Sequence, residues 1–180
     1  AIAPSNYDYM KMVPDDICVL DFELKPLEGE RKPSVESAMH AAIYQAREDV
    51  QAVIHTHQVY PSTLAIINCP IPALFDEQVR FLGRSVELVP YGPSGTGWLK
   101  SNIVRKLKTG ANAYILQNHG ALILGPDPER AMFNVELLEK CAVAFLLAYY
   151  TDERISRVPA PIREVIFSKL KKEQKQEISQ

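Results

Sequence analysis

Between Asp16 and Asp152 the apolar residues change their spacing repeatedly, and that change constrains the fold more than any other feature of the chain. "DICVLDFE" (16–23) alternates with a period of two, as a strand with one buried face does. It is followed by "KPLEGERKP", which reads as a loop rich in Pro, Gly and charge. From Ser34 the period becomes helical: Val35, Ala38, Met39, Ala42, Ile43 and Ala46 recur at i, i+3, i+4, i+7, i+8 and i+11. Pro33 and Ser34 mark the start of that helix, which places Glu36 in its first turn. "QAVIHTH" (51–57) reads as a strand, and "YPSTLAIIN" carries a Pro suited to a first helical turn. "SVELVPYG" is another strand, "GTGWLKSNIVRKLKTG" a helix between glycines, and "NAYILQNHGALILG" two β segments broken at Asn118, His119 and Gly120. The clearest helix runs from about Pro128 to Asp152, with Ala131, Val135, Leu138, Ala142, Phe145 and Tyr149 along one stripe. Strands and helices in alternation predict an α/β layered domain.

With 180 residues, 47% of them hydrophobic, the chain can bury one contiguous core and is expected to form a single domain. Lys and Arg number 20 against 22 Asp and Glu, without a long block of one sign, which argues against a nucleic-acid partner. No apolar run reaches the roughly 18 residues of a membrane span, and no secretory pattern is present, so neither membrane nor export is expected. Cys18, Cys69 and Cys141 are odd in number and sit in apolar contexts, which predicts free thiols in a reducing cytoplasm. "CAVAFLLAYY" (141–150) is apolar nearly all round, so that helix is expected to be sandwiched in the core or packed against another subunit. Residues 151–180 read as a linker, "RVPAP", and a charged helical tail in solvent. The opening "AIAPSNYDYM" reads like the middle of a domain, so the chain is expected to lack the N-terminal part of that domain.

His55 and His57 lie at i and i+2 of a strand and so present both imidazoles to one face. That spacing suits two ligands of a tetrahedral metal, and it also suits two hydrogen-bonded histidines of no special role. None of the three Cys lies near them in sequence, which speaks against a four-ligand structural zinc; a catalytic site needs three ligands and an open position. His119, at a break where Gly120 lets the backbone turn sharply, is the candidate third ligand. Glu36 either complements a helix dipole or serves as a general base. Ser34 either caps that helix or offers its hydroxyl to an anion. His40, one turn after Glu36, reads as an orienting or structural residue. Trp98, Tyr91, Tyr149 and Tyr150 read as core packing more than as site lining.

Taken in order, "IAPSNYDYM", "KPSVESAMHAAIYQAREDVQAVIHTH", "PYGPSGTGWL" and "ILQNHGALILG" resemble the class II aldolase and adducin head-domain family over roughly residues 1–150. The resemblance implies a three-layer α/β/α sandwich around a mixed, largely antiparallel sheet, assembled as a homotetramer with sites between subunits. It implies a divalent metal, usually Zn2+ with Mn2+ or Co2+ as substitutes, held by His55, His57 and His119, and Glu36 as the catalytic acid or base. It places a substrate phosphate on Ser34 and on Ser5 and Asn6. Val35 stands where the family has a second Ser, Asn6 where it has a Gly, and Asp76 where sugar-phosphate aldolases have a Tyr.

The activity implied is that of a zinc-dependent, fuculose-phosphate-type aldolase, cleaving a ketose 1-phosphate to dihydroxyacetone phosphate and an aldehyde through a metal-stabilised enediolate. On the same fold, a methylthioribulose-phosphate-type dehydratase or a decarboxylase of a related acid would use the same chemistry. A non-catalytic, adducin-like interaction module is the reading from another class; the presence of all three His and Glu36 weighs against it.

Overall fold

The computed structural model describes residues 1–179. After two 3-10 turns (Tyr9–Lys11 and Pro14–Asp16) come β1 (Val19–Leu20), β2 (Pro26–Glu28), α1 (Ser37–Ala46), β3 (Ala52–Thr56), α2 (Val59–Ile66) and α3 (Asp76–Phe81). The chain continues through β4 (Glu87–Val89), α4 (Gly97–Leu107), β5 (Ala113–Leu116), β6 (Gly120–Gly125), α5 (Pro128–Tyr150) and α6 (Ala160–Glu177). The main sheet has the order β3-β6-β5-β4, antiparallel between β3 and β6 and between β5 and β6, parallel between β4 and β5. Tyr114, Leu116, Leu122 and Leu124 pack on one side with Met39 and Ile43 of α1 and Leu99, Ile103 and Leu107 of α4. Ala113, Ile115, Ala121 and Ile123 pack on the other with Leu64 of α2 and Leu138, Cys141 and Phe145 of α5. The architecture is the expected α/β/α sandwich with a mixed, largely antiparallel sheet.

The central strands β5 and β6 are buried at every position, which is why "AYIL" and "GALILG" read as continuous apolar runs without alternation. Each fully buried aliphatic side chain there contributes about 1.5–3 kcal/mol of transfer free energy. α4 begins where the Thr96 hydroxyl accepts from the Leu99 N–H, and Arg105 and Lys106 complement the dipole in its last turn. α5 begins at Asp127, whose carboxylate accepts from the Arg130 N–H at 2.6 Å, with Pro128 in the first turn.

Four features differ from the sequence reading. Only Val19–Leu20 of "DICVLDFE" forms a strand, and its partner β2 lies within the segment read as a loop. α1 starts at Ser37, so Glu36 is its N-cap residue and not part of the first turn; its side chain makes no cap hydrogen bond and is free for other work. Trp98, Tyr91, Tyr149 and Tyr150 are all exposed and do not pack in the core. The charged segment expected in solvent forms α6, which docks through Phe167 and Leu170 against Ala73 and Val79. Its Gln174 side-chain amide donates to Gly110 O (3.0 Å) and Asn112 Oδ1 (3.1 Å). α6 thus buries one narrow face while Lys169, Lys172 and Lys175 stay in water and the half-buried Lys171 donates to Gln174 Oε1 at 2.9 Å, a pattern that composition alone reads as a solvated helix.

Candidate metal centre

The site lies at the end of the sheet where β3 finishes and β5 turns into β6. His55 pairs with Leu122 across the β3–β6 ladder, and Leu122 faces α1 and α4, so the imidazole projects into that layer. His57 follows two residues later on the same side. His119 closes the short connection between Leu116 and Gly120, its N–H bonded to Leu116 O at 3.0 Å. The left-handed residue of that turn is Asn118 (φ 53°), not Gly120. Gly120 is needed for close approach instead: a Cβ there would stand 2.4 Å from Thr56 O and 2.7 Å from Cδ2 of His57. Its hydrogen atom is the space that lets the turn fold against the two β3 histidines.

One ring nitrogen from each of His55, His57 and His119 lies within 4.8 Å of the others. His40 is outside this group. The His55 Nδ1–H donates to Ala121 O at 2.9 Å, an assignment that follows from the acceptor it meets, and leaves Nε2 unprotonated in the neutral ring. That Nε2 faces His57 Nε2 at 3.1 Å and Glu36 Oε2 at 3.1 Å, while Glu36 Oε1 lies 3.4 Å from His119 Nε2. Burial holds the His55 pKa below 6.5, with the charges of His119 and His57 acting the same way and Glu36 and the Ala121 carbonyl opposing. Burial does the same for His119, opposed by Glu36. Three imidazoles and the Glu36 side chain therefore converge on one point, and the unprotonated His55 Nε2 presents its lone pair there. Three borderline nitrogen donors suit zinc and its neighbours better than Mg2+ or Ca2+. The residues present fit a divalent metal.

Glu36 is buried (7% exposed) and held from three directions. Its N–H donates to Ser34 Oγ at 3.2 Å, and its carbonyl accepts from Met39 and His40 N–H as α1 begins. Its carboxylate Oε1 accepts a 2.6 Å hydrogen bond from the hydroxyl of Ser94. Ser94 is the residue that sequence reasoning missed. It sits within "PYGPSGTGWL", but no periodicity says that this loop crosses to the start of α1.

Ser5 and Asn6 lie a short distance from Ser34 along a strap: Ser5 N–H donates to Lys32 O (2.8 Å), Pro4 bridges Pro33, and Ser34 N–H donates to Ala3 O (3.1 Å). Asn6 adopts φ 54°, and both residues line a polar cleft with Tyr7, Asp16, Arg31 and Lys32. Arg31 is engaged there by Asp16 at 2.6 Å and stacks on Tyr7, which leaves Lys32 as the cation with no such partner among these contacts.

Residues 1–146 match the class II aldolase and adducin N-terminal domain family. The chain belongs to this family. Among curated relatives, a 5-deoxy-D-ribulose 1-phosphate aldolase from Bacillus thuringiensis is 37% identical over 143 residues, covering 79% of this chain and 66% of the relative. An L-fuculose phosphate aldolase from Escherichia coli is 32% identical over 145 residues, covering 81% and 66%. The chain thus spans just under two thirds of the length of these relatives. A solved L-fuculose 1-phosphate aldolase superposes with a TM-score of 0.88 at 34% identity, over 94% of this chain and 78% of that one. A Thermus thermophilus structure at 23% identity shares the fold with a TM-score of 0.71, over 83% of this chain and 77% of that one. No helix among the described residues is long and apolar enough to cross a membrane.

Proposed function

We propose that the chain carries the metal site of a class II aldolase that cleaves a ketose 1-phosphate to dihydroxyacetone phosphate and an aldehyde. The observation that supports it most directly is the convergence of three imidazole nitrogens and the buried Glu36 carboxylate on one point. His55, His57 and His119 would hold the ion, with zinc first and Mn2+ or Co2+ as substitutes. A divalent cation there supplies Lewis acidity to the ketose carbonyl and favours build-up of negative charge beside it. Cleavage breaks the C3–C4 bond of the ketose: the C4 hydroxyl proton would pass to the Glu36 carboxylate as the aldehyde forms, and the bond's electrons to the enediolate of dihydroxyacetone phosphate. Glu36 returns a proton to C3 to complete the ketone, and removes it in the direction of synthesis. Its burial keeps bulk water from that carbon.

Ser5, Asn6 and Ser34 would receive the phosphate. Ser34 Oγ already accepts from Glu36 N–H, so its own proton is available to an anion; the cleft at Ser5 and Asn6 is lined by Lys32 and Arg31 together with Asp15, Asp16 and Glu30. The relatives named for L-fuculose phosphate and 5-deoxy-D-ribulose 1-phosphate support a ketose phosphate as substrate. A cytoplasmic setting agrees with three free cysteines, two of them buried. A homotetramer with sites between subunits agrees with the exposed apolar side chains on α2 and α5, Val59 (71%) and Leu147 (67%) among them. No observation favours the dehydratase or decarboxylase reading over the aldolase.

The test is release of dihydroxyacetone phosphate from L-fuculose 1-phosphate and 5-deoxy-D-ribulose 1-phosphate by protein loaded with zinc, manganese or cobalt. Glu36→Gln is expected to keep stoichiometric metal and lose turnover by about 100- to 10,000-fold. Wild-type protein that binds metal yet cleaves neither sugar would sink the aldolase reading, and full turnover by the variant would remove Glu36 from its role.

A further inference from the structure

Glu36 is the group on which the proposed chemistry turns, and a carboxylate at a helix N-cap has rotational freedom unless something fixes it. Here Oε2 faces His55 Nε2 at 3.1 Å while Oε1 takes the hydroxyl proton of Ser94 at 2.6 Å. His119 Nε2 lies 3.4 Å from Oε1 as well, and of these contacts the Ser94 hydroxyl is the one that donates whatever the histidine tautomers. The Ser94 bond is short because its acceptor is charged.

The loop that brings Ser94 there is built for it. Gly92 lies so close to Leu99 that a Cβ would stand 2.6 Å from Leu99 N. Gly95 takes φ +73° and passes Val35 O, where a Cβ would lie at 3.2 Å, so the loop rests on the residue just before Glu36. The Thr96 hydroxyl donates to Pro93 O at 2.6 Å and the Thr96 N–H donates to the same carbonyl at 3.2 Å, bracing the turn on both sides of Ser94. Ser94 itself is exposed. An exposed serine contributes little to the core, so its hydrogen bond to a buried carboxylate is the feature that calls for an explanation.

We infer that Ser94 is a positioning residue: it clamps the Glu36 carboxylate so that one oxygen is presented to the reacting carbon beside the imidazole cluster. The inference rests on the aldolase reading for its kinetic consequence and on geometry alone for its structural one. Because Ser94 is exposed, a γ-methyl can be added without displacing core atoms, so Ser94→Thr keeps the hydroxyl and Ser94→Ala removes it.

The experiment joins crystal structures of wild type and Ser94→Ala with steady-state kinetics of both variants on the ketose 1-phosphates. Ser94→Ala is expected to turn the Glu36 carboxylate or split it between rotamers. Its kcat should fall by about ten- to a hundredfold, the size of one hydrogen bond to a charged group. KM is expected to stay within about twofold, since binding of the sugar phosphate does not use this bond. Ser94→Thr is expected to recover most of the lost kcat. An unchanged Glu36 rotamer in Ser94→Ala, an unchanged kcat, or a threonine variant as slow as alanine would each overturn the inference. If the wild type cleaves none of the sugars, the aldolase reading falls, and the rotamer comparison alone still decides whether Ser94 holds Glu36.

Discussion

At one end of the main sheet Arg47 lies buried with Asp49, Asn112 and Gln174; at the other, His55, His57 and His119 lie with Glu36. Both clusters are polar, the first buried throughout and the second open to water at His57, and they are composed differently. Arg47 meets both carboxylate oxygens of Asp49 at 2.7 and 2.6 Å and also donates to Ala111 O and Asn112 Oδ1 at 3.0 Å. The Asn112 amide donates to Phe81 O, and Gln174 closes the set from α6. Cation faces anion and donors face acceptors, so nothing further is required. At the histidine end no guanidinium or ammonium among the described residues faces Glu36: its carboxylate meets imidazole nitrogens and the Ser94 hydroxyl, and a cation from outside would complete the set. The first arrangement ties the α6 layer to the sheet; the second leaves an incomplete site for a ligand to finish.

The largest effect that separates the two ends is expected from Arg47→Met. It leaves Asp49 buried without its cation, while Ala111 O keeps Tyr114 and Asn112 Oδ1 keeps Gln174 as donors; the uncompensated charge costs about 3–5 kcal/mol. Urea unfolding should show that loss while the folded variant keeps its metal stoichiometry. A loss below about 1 kcal/mol would mean that the two ends do not differ as described.

Acid should act on the opposite end. Burial pushes His40 down to about 4, helped by the neighbouring His55 charge and opposed by Glu36. The unfolded chain therefore binds more protons than the folded one between about pH 4 and 6.5, so stability rises with pH across that window and is lost as pH falls through it. For metal-stripped protein the full contribution of His40 is about 3 kcal/mol at most. Unfolding free energies measured in chelator at pH 4.5 and 7 should show the slope, and His40→Gln should reduce it. A flat profile in the wild type would break the comparison.

Gly120→Ala should act most locally, at the overpacking cost of about 1–3 kcal/mol for a Cβ set against backbone. The new Cβ would press on Thr56 O and the His57 ring, moving one ligand relative to the other two. Metal affinity, measured by competition with a chelator, is expected to weaken by about 10- to 100-fold. An unchanged affinity would show that the close approach of this turn does not set the site's geometry.

The amount of this that could be read from the sequence varies by residue. His55 and His57 share a face because side chains in a strand repeat every two residues, and that follows from "AVIHTH" alone. The break before Gly120 is visible too, although the reason for the glycine is not: a sharp turn is expected at Gly120, and close contact with β3 is found. Pro33 and Ser34 mimic a helix start and put Glu36 inside the first turn, whereas the hydrogen-bonded turn begins only at Ser37 and Glu36 is its N-cap. The docking of α6 was hidden because a helix whose buried face is only Phe167, Leu170 and Gln174 looks soluble in composition.

What the sequence determined by itself is therefore local: which segments are strands or helices, which side chains share a face, and where the chain turns. Backbone sterics and hydrophobic periodicity act over a few residues, so they leave a mark that can be read there. Only the tertiary structure decided that Glu36, His119 and Ser94 meet at the end of β3. Ser94 and Glu36 stand 58 residues apart, and no local pattern encodes their 2.6 Å hydrogen bond. That contact depends on how α1 and α4 pack on the same face of the sheet, and packing is settled by the burial of the whole layer together.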